Sequence, residues 1–527
     1  MNVPPGLKTV KTARPYYFNA LFCSGLFFFL LLLHCLLVFP VKVYAQSDTE
    51  PGVNSIDLEQ DMTGYGQLWP QALLELQPSS KSRKALLLTD IMASTVFYHP
   101  ELEAAIAKLQ QAEGKLLSTK GAFDVQLKTY GFWNRYQTSS GEGKAKQTFD
   151  GVNKLAWLSR SGIQLSAGNK LIYGDVSSKF SPVGDGGEHF FELRVPLLKG
   201  LINNKANAKQ QQADIQLSQA DVAILNKRLS LLQKAAKQYW NWFTSGKKLM
   251  VTEDLVRLAD IRYGAVKRQA ELGDKADIQV TEAEQALVKR KALLAKERAA
   301  FLKAAQVLRL YLWNGNTQQF SDTPPSQTQL PAQLPTIPLF SDDLVDNGKI
   351  LAYASNPELK RLSLGKKFAQ VDWRLARNNL LPQLDAYARP GYQPGNNGID
   401  GTIRTGIVLS VPLQRRDAKG RLRTAQFRMD EIDANERLLL AAIQVNVTSA
   451  VISIEQAMNQ VEQTRQQTVL ALKLAAAERR RFQLGDSSLF LVNTRERQAA
   501  EAQKDNLAAY KTLMMAWLSY WIVTVQL

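Results

Sequence analysis

The chain has 527 residues, a formal net charge of +17 and two cysteines. Cys23 and Cys35 both precede Val43-Tyr44-Ala45, so a chain cleaved after Ala45 has no disulfide and no thiolate chemistry. Four basic residues (Lys8, Lys11, Arg14, Lys42) and no acid fall before that point, leaving +13 on the remainder. Those charges are spread along helical stretches and mixed with Glu, Asp and Gln, which reads as solvated helix faces rather than a nucleic-acid surface.

Residues 1–45 have the pattern of a signal peptide. A basic start is followed by an apolar run from Tyr16 to Phe39, and Val43 and Ala45 supply the small residues of a cleavage site. The run is long for that role, so an uncleaved anchor is the alternative. After Gln46 no segment is expected to cross a bilayer as a helix, because Leu438 to Ile454 is interrupted by Gln444, Asn446, Thr448 and Ser449. An exported chain of this kind is periplasmic, extracellular or a membrane β-barrel.

Residues 46–98 form an N-terminal segment, with Gly64-Tyr65-Gly66 and a short helix expected over Arg83–Phe97. From residue 99 onward the chain is doubled. His99-Pro100-Glu101-Leu102 recurs as Asn356-Pro357-Glu358-Leu359, Val195-Pro196-Leu197 as Val411-Pro412-Leu413, and Leu272-Gly273-Asp274 as Leu484-Gly485-Asp486. The common order divides the chain into a first repeat, 99–315, a linker, 316–350, and a second repeat, 351–527. The linker belongs to a Pro-, Gln-, Ser- and Thr-rich stretch that runs over Asn314–Pro338.

In the first repeat a helix opened by Pro is expected over Pro100–Lys120, with Gly121 ending it. The period then becomes two. Phe123, Val125, Leu127 and Thr129 alternate with Asp124, Gln126, Lys128 and Tyr130, and Tyr130, Phe132, Trp133 and Tyr136 place aromatic residues at the far end. That cluster suits a membrane girdle or an ordinary aromatic strand. Further strands are expected near Val152–Ser159, Gly162–Tyr173 and Phe190–Leu197. In the second repeat they are expected at Leu384–Arg389 and Ile403–Leu413, around a loop from Pro390 to Gly401. By landmark spacing the first repeat carries an insertion of about forty residues.

Each Val-Pro-Leu leads into a very long helix. Leu201–Ser245 has no Gly or Pro and the pattern continues toward Tyr263, and Arg421–Leu484 would be roughly 95 Å if wholly helical. Leu225, Leu229, Leu232, Ala236, Tyr239 and Phe243 step by four and three, as do Val447, Val451, Ile454, Met458 and Val461. Each long helix meets a Gly-Asp turn and a returning helix, Lys275–Trp313 or Ser487–Leu527, so each repeat ends in a helical hairpin.

Four strands, or six if the inserted pair is counted, cannot close a membrane barrel, which needs about eight. Strands of this chain in lipid must therefore be shared between copies, three of which would supply twelve or eighteen. The long hairpins would continue such a barrel as a tube of coiled coils, a conduit rather than a catalyst.

The sequence resembles the TolC-type outer-membrane efflux proteins over nearly all of the chain after the signal. The resemblance rests on the tandem order of the landmarks, Leu381-Pro382 before a strand, and Arg481-Phe482-Gln483-Leu484-Gly485 at the second tip. It implies an α+β membrane protein, with helical hairpins forming a periplasmic tunnel and β-hairpins contributing to a shared trimeric barrel. It implies a homotrimer in the outer membrane of a Gram-negative bacterium, in contact with outer-membrane lipid. Passive export would run through a periplasmic adaptor and an inner-membrane transporter, with no cofactor. The tip residues Leu272, Gly273, Asp274, Arg481, Phe482, Leu484, Gly485 and Asp486 would meet the adaptor. Asp277, Gln279 and Leu491 are the candidates for a pore constriction.

The chain departs from the family pattern at the tip. Gln269-Ala270 stands where Arg-aromatic would precede Gly273, and Gln279 and Leu491 stand six positions after the tip glycines, where an acidic residue is common. Asp274, Asp277 and Asp486 are the acids available instead, and helix capping is their other reading. The basic run Arg415, Arg416, Lys419, Arg421 and Arg423 suits lipid phosphates or a solvated helix start. No enzyme constellation emerges, since His34, His99 and His189 are scattered and no phosphate loop or nucleophile elbow is present. Two other classes stay open: a periplasmic adaptor, which has one hairpin where this chain has two, and a secreted coiled-coil protein without a barrel.

Overall fold

The computed structural model describes residues 85–136, 146–174, 187–314, 319–395 and 398–526. The signal over 1–45, Gly64-Tyr65-Gly66 and the first two residues of the helix expected from Arg83 lie outside them. The described helix α1 is Leu88–Tyr98, and α2 is Pro100–Lys120. His99 caps α2, its Nδ1 accepting from the Glu101 amide at 3.1 Å with Pro100 in the first turn. After Lys120 the backbone tightens into a 3₁₀ turn over Gly121–Phe123. The alternation expected from Phe123 therefore becomes a strand only at Gln126.

Six strands form one antiparallel sheet: β1 (Gln126–Tyr136), β2 (Lys146–Leu158), β3 (Gln164–Gly174), β4 (Glu188–Pro196), β7 (Gln383–Gly395) and β8 (Gly398–Ser410). They lie side by side in that order, and β1 and β8 are its two edges. The inserted pair is thus part of the sheet. A separate two-residue ribbon pairs β5 (Trp313–Asn314) with β6 (Gln319–Phe320).

The loop expected from Pro390 to Gly401 is a correction. Most of it is strand, since β7 runs to Gly395 and β8 starts at Gly398. Pro390 is tolerated because the β4–β7 ladder lapses there. Pairing runs from Leu193 with Ala388 to Phe190 with Gly391 and skips the residues between, so the missing proline N–H costs no bond on that side.

Helix α3 (Lys205–Glu271) has 67 residues and α7 (Arg416–Gln483) has 68, about 100 Å each at the α-helical rise. They return as α4 (Asp277–Arg309) and α8 (Leu489–Val523). Helices α5 (Leu344–Ser355) and α6 (Pro357–Asn378) precede β7. The repeats use one bracing device twice, because α2 is tied to α3 by Lys227–Glu101 at 2.7 Å and α6 to α7 by Lys366–Asp433 at 2.6 Å.

The main core lies where the helices crowd at mid-length. Tyr239, Trp240, Trp242 and Phe243 of α3 meet Tyr510, Leu513, Trp517 and Tyr520 of α8 and Val447, Val451 and Ile454 of α7. Tyr239, Phe243, Val447, Val451 and Ile454 among them belong to the positions that step by four and three, while Leu229, Leu232 and Ala236 fall in an adjoining smaller core. Between the repeats the chain is packed as well: Leu330 reaches the core against Gly246, and Gly348 of α5 sits so close to Val447 and Tyr520 that no Cβ fits without displacement.

Helix α7 is unusually apolar for a helix that packs within a hairpin. Among the described residues α7 is the helix long and apolar enough to cross a bilayer, with mean hydropathy 1.7 over its most apolar 18 residues. Part of that stretch packs in the helical core, so its composition alone does not contradict the expectation that no helix crosses a bilayer. Its apolar residues fall on two faces. Ile443, Val447, Ala450, Val451 and Ile454 are in the core, while Leu438, Val445 and Ile452, seven apart, are exposed.

Ile454 is fully buried at the centre of this core. Ile454→Ala should lower stability by about 2–5 kcal/mol. Loss of helical circular dichroism on heating or in denaturant, compared with the parent chain in the same detergent, would measure it.

Candidate functional site

Three features have chemistry to offer: the two faces of the sheet, the helical tips, and a charged cluster just above the tips. The register assigns every strand residue to a face, because directly paired residues point the same way. One face carries Leu127 and Trp133 of β1, Phe149, Leu155 and Trp157 of β2, Leu165, Leu171 and Tyr173 of β3, and Phe191, Leu193 and Val195 of β4. It continues through Ala386, Ala388 and Tyr392 of β7 to Ile403, Ile407 and Leu409 of β8. Leu127, Trp133, Phe149, Leu155, Trp157, Phe191, Ile403, Ile407 and Leu409 are all exposed.

The opposite face carries the charges, among them Lys128, Lys154, Glu188, Glu192, Arg194, Arg389 and Arg404. It is the more enclosed side. Asp385 is 4 % exposed and pairs with Arg194 at 2.8 Å. Arg389 pairs with Glu188 at 2.9 Å and lies over the Phe190 ring at 3.8 Å, and the Tyr387 hydroxyl donates to Glu192 at 3.2 Å. All of these contacts cross from β4 to β7, so they join the two repeats. Apart from polar positions such as Arg135 and the row Thr129, Asn153, Asn169 and His189 on the first face, the sheet is apolar on one side and ion-paired on the other, a division inverted for water and suited to lipid.

The aromatic residues at the far end of β1 do not share a face. Tyr130 and Phe132 stand on the polar side with ring centroids 5.8 Å apart, whereas Trp133 is on the apolar side opposite Phe149. They mark a level along the strand rather than one surface.

At the other extreme of the chain the two turns are near copies. Gly273 has φ +83° and Gly485 φ +84°. The Asp274 amide donates to Gln269 O at 2.8 Å, and the Asp486 amide to Arg481 O at 2.9 Å. Both helices therefore end in the six-to-one closure that requires a left-handed residue, which glycine adopts without strain. Leu272 and Leu484, each one residue before its glycine, are 77 % and 75 % exposed.

Capping is divided differently from expectation. Ser488, not Asp486, caps α8, its Oγ accepting from the Leu491 amide at 3.3 Å. Asp486 is engaged by Arg481, whose Nε lies 3.0 Å from its carboxylate. That hydrogen bond raises the Arg481 pKa. Helix α4 has no side-chain cap, and Asp277 sits in its first turn, where a carboxylate offsets the helix dipole. Asp274 caps neither helix. Gln279 and Leu491 each occupy the third position of a returning helix.

The tips also pack on each other. Val266 of α3, Ala283 of α4 and Leu489 of α8 form a small core with Val280 and Phe482, and Lys275 lies 6.0 Å from the Phe482 ring. Phe482 is therefore a packing residue between hairpins.

Above the tips lies a group not anticipated from the sequence. Glu496 of α8 is 3 % exposed. Its carboxylate accepts from Arg262 of α3 and Arg290 of α4, each at 3.0 Å through Oε2, and Arg479 of α7 stands 3.6 Å away. Asn493, one turn earlier, accepts from Arg262 at 2.9 Å and Arg290 at 3.1 Å. Burial pulls the Arg290 pKa down and Glu496 opposes that pull. One carboxylate thus ties four helices of two hairpins. Among the described residues no group of three or more His, Cys, Asp or Glu side chains comes together as metal ligands.

Removing one partner of such a group leaves buried charge uncompensated. Glu496→Ala should cost about 3–5 kcal/mol, with Glu496→Gln costing less. Faster protease cleavage near the tips, alongside the melting temperature, is the measurement.

No family model and no curated protein matches the sequence. Solved structures do. The outer-membrane channel OprN aligns with a TM-score of 0.63 at 11% identity, over 86% of this chain and 92% of its own. The Campylobacter jejuni CmeC outer membrane channel gives 0.61 at 11%, over 83% and 85%. The Vibrio cholerae outer membrane protein VceC gives 0.59 at 15%, over 83% and 95%. Each alignment covers more than four fifths of the chain, and the chain has the fold of the TolC-type outer-membrane channels.

Proposed function

We propose that the chain is the outer-membrane channel of an export system and works as a homotrimer. In this reading the sheet lies in the outer membrane of a Gram-negative bacterium and the helical hairpins cross the periplasm. The observation that carries it is the junction of two surfaces in one polypeptide. A sheet that is apolar outside and charged inside continues directly into helices of about 100 Å, long enough to leave the bilayer far behind. The exposed stripe of Leu438, Val445 and Ile452 supports self-association, since its heptad spacing suits a neighbouring helix. Arg415, Arg416, Lys419, Arg421 and Arg423 follow β8 where a barrel would leave the membrane, a position that suits lipid phosphates.

The paired tips are the surface offered to a periplasmic adaptor and, through it, an inner-membrane transporter. Leu272 and Leu484, with Ile278 and Phe490, present exposed apolar side chains around two rigid turns. Gly273, Asp274, Gly485, Asp486 and Arg481 hold the shape of those turns. Asp277, Gln279 and Leu491, all at the start of returning helices, are the residues proposed to set the narrowest passage. Transport is passive, and the pump supplies the energy.

Two outcomes test this reading. The purified chain should require detergent and run as a trimer that dissociates on boiling, and a monomer soluble without detergent would sink the proposal. The double substitution Leu272→Asp and Leu484→Asp should leave the trimer intact and reduce export at least tenfold. Crosslinking to the adaptor in cells, with identification of the transporter bound to it, supplies the direct readout.

A further inference from the structure

We propose that three copies close a single barrel of eighteen strands, each copy's β8 pairing antiparallel with the β1 of the next. The inference rests on the channel reading above and concerns which strands meet at the seam between copies.

Three observations carry it. The first is the state of the edges. Strands β1 and β8 have 11 and 13 residues, and each is paired along one side only. About half of the backbone groups of an edge strand point away from its sheet. In hydrocarbon each unsatisfied group costs several kcal/mol, so these edges must find partners.

The second is direction. Every neighbouring pair is antiparallel and the sheet has an even number of strands, so β1 and β8 run opposite ways. A second copy placed beside the first therefore brings β1 against β8 in the antiparallel sense without any strand reversing. Rotation about one axis then closes the ring, each copy using one edge as donor and the other as acceptor.

The third is the character of the inserted pair. Strands β2 and β3 carry a similar division: Phe149, Leu155, Trp157, Leu165, Leu171 and Tyr173 stand on the outer face around one polar pair, Asn153–Asn169, and Asp150, Lys154, Ser166 and Lys170 stand on the inner face beside Val152 and Ile172. A hairpin standing in water above a smaller barrel would have no use for that outer face, which would form a large exposed apolar patch. The pattern places β2 and β3 in the same lipid-facing wall as their neighbours.

The result is a wide pore. Eighteen strands spaced about 4.8 Å and tilted about 40° enclose a backbone diameter of roughly 36 Å. Side chains about 5 Å deep on the inner wall leave a lumen of about 25 Å, the range in which large barrels hold open water.

The test uses a chain with Cys23 and Cys35 replaced by serine, reconstituted in vesicles of outer-membrane lipid. Thr405→Cys in β8 is combined in turn with Leu127→Cys, Thr129→Cys or Trp133→Cys in β1, and separately with Ala167→Cys in β3. All five positions are on the outer face. Oxidation should give a boiling-resistant, reductant-sensitive ladder ending at the trimer with at least one β1 partner and none with Ala167. A ladder with Ala167 instead would mean that β3, β4, β7 and β8 alone close a twelve-strand barrel, which overturns the proposal and leaves the channel reading standing. An electron cryo-microscopy map of the parent trimer counts strands independently of register, and twelve would overturn it in the same way. A detergent-free monomer overturns both readings.

Discussion

An unpaired strand edge cannot exist in hydrocarbon, and the remainder of this structure is organised around that constraint. The six strands of one copy form a sheet with two open edges and an apolar outer face, a combination unstable both in water and in lipid as a single chain. In the proposed channel, self-association is therefore demanded by the sheet, not by the helices. The helices nonetheless conform to it, because α7 carries a second apolar stripe beside the one buried in its own hairpin. Its membrane-like hydropathy has this origin. A helix with partners on two sides has little room for charge.

The ion pairs of the sheet's inner face share one boundary. Arg194–Asp385, Arg389–Glu188 and Tyr387–Glu192 all cross from β4 to β7, the single junction where the first repeat meets the second within the sheet. At the far end of the hairpins Glu496 performs the corresponding task, holding α3, α4, α7 and α8 through arginines. The repeats are thus fastened at both extremities by charge and at mid-length by aromatic packing. Buried charge is a poor source of stability but a strict one geometrically, since a missing partner is costly. Helices joined through one carboxylate cannot slide independently.

Most of the architecture was legible because it depends on period. The steps of four and three through Leu229, Leu232, Ala236, Tyr239 and Phe243 mark the face that is buried, and the Pro-Glu-Leu starts coincide with α2 and α6. What was not legible depends on long-range pairing. Pro390, Gly391 and their neighbours have the composition of a loop, and only the lapse in the ladder beside Pro390 lets them continue a strand. The cap of α8 differs for a local reason: Arg481 holds Asp486, and Ser488 reaches the Leu491 amide instead. Glu496 left one signal. Leu489, Val492, Glu496 and Ala499 step by three and four, so a glutamate occupies a seam position, where it needs a cationic partner from another helix. The partners themselves, Arg262 and Arg290, lie more than two hundred residues away and could not be chosen among many arginines.

The inserted pair β2–β3 has a geometric property of its own. A hairpin leaves and returns on the same side, so the entry of β1 from α2 and the exit of β4 into α3 stay at one rim. Nothing on the periplasmic side has to be rebuilt when such a pair is gained or lost. In the proposed threefold assembly every gain is counted three times, so the bore would change in increments of six strands. Girth of the sheet and geometry of the helical tips would then be separable traits, free to evolve on different schedules within one gene.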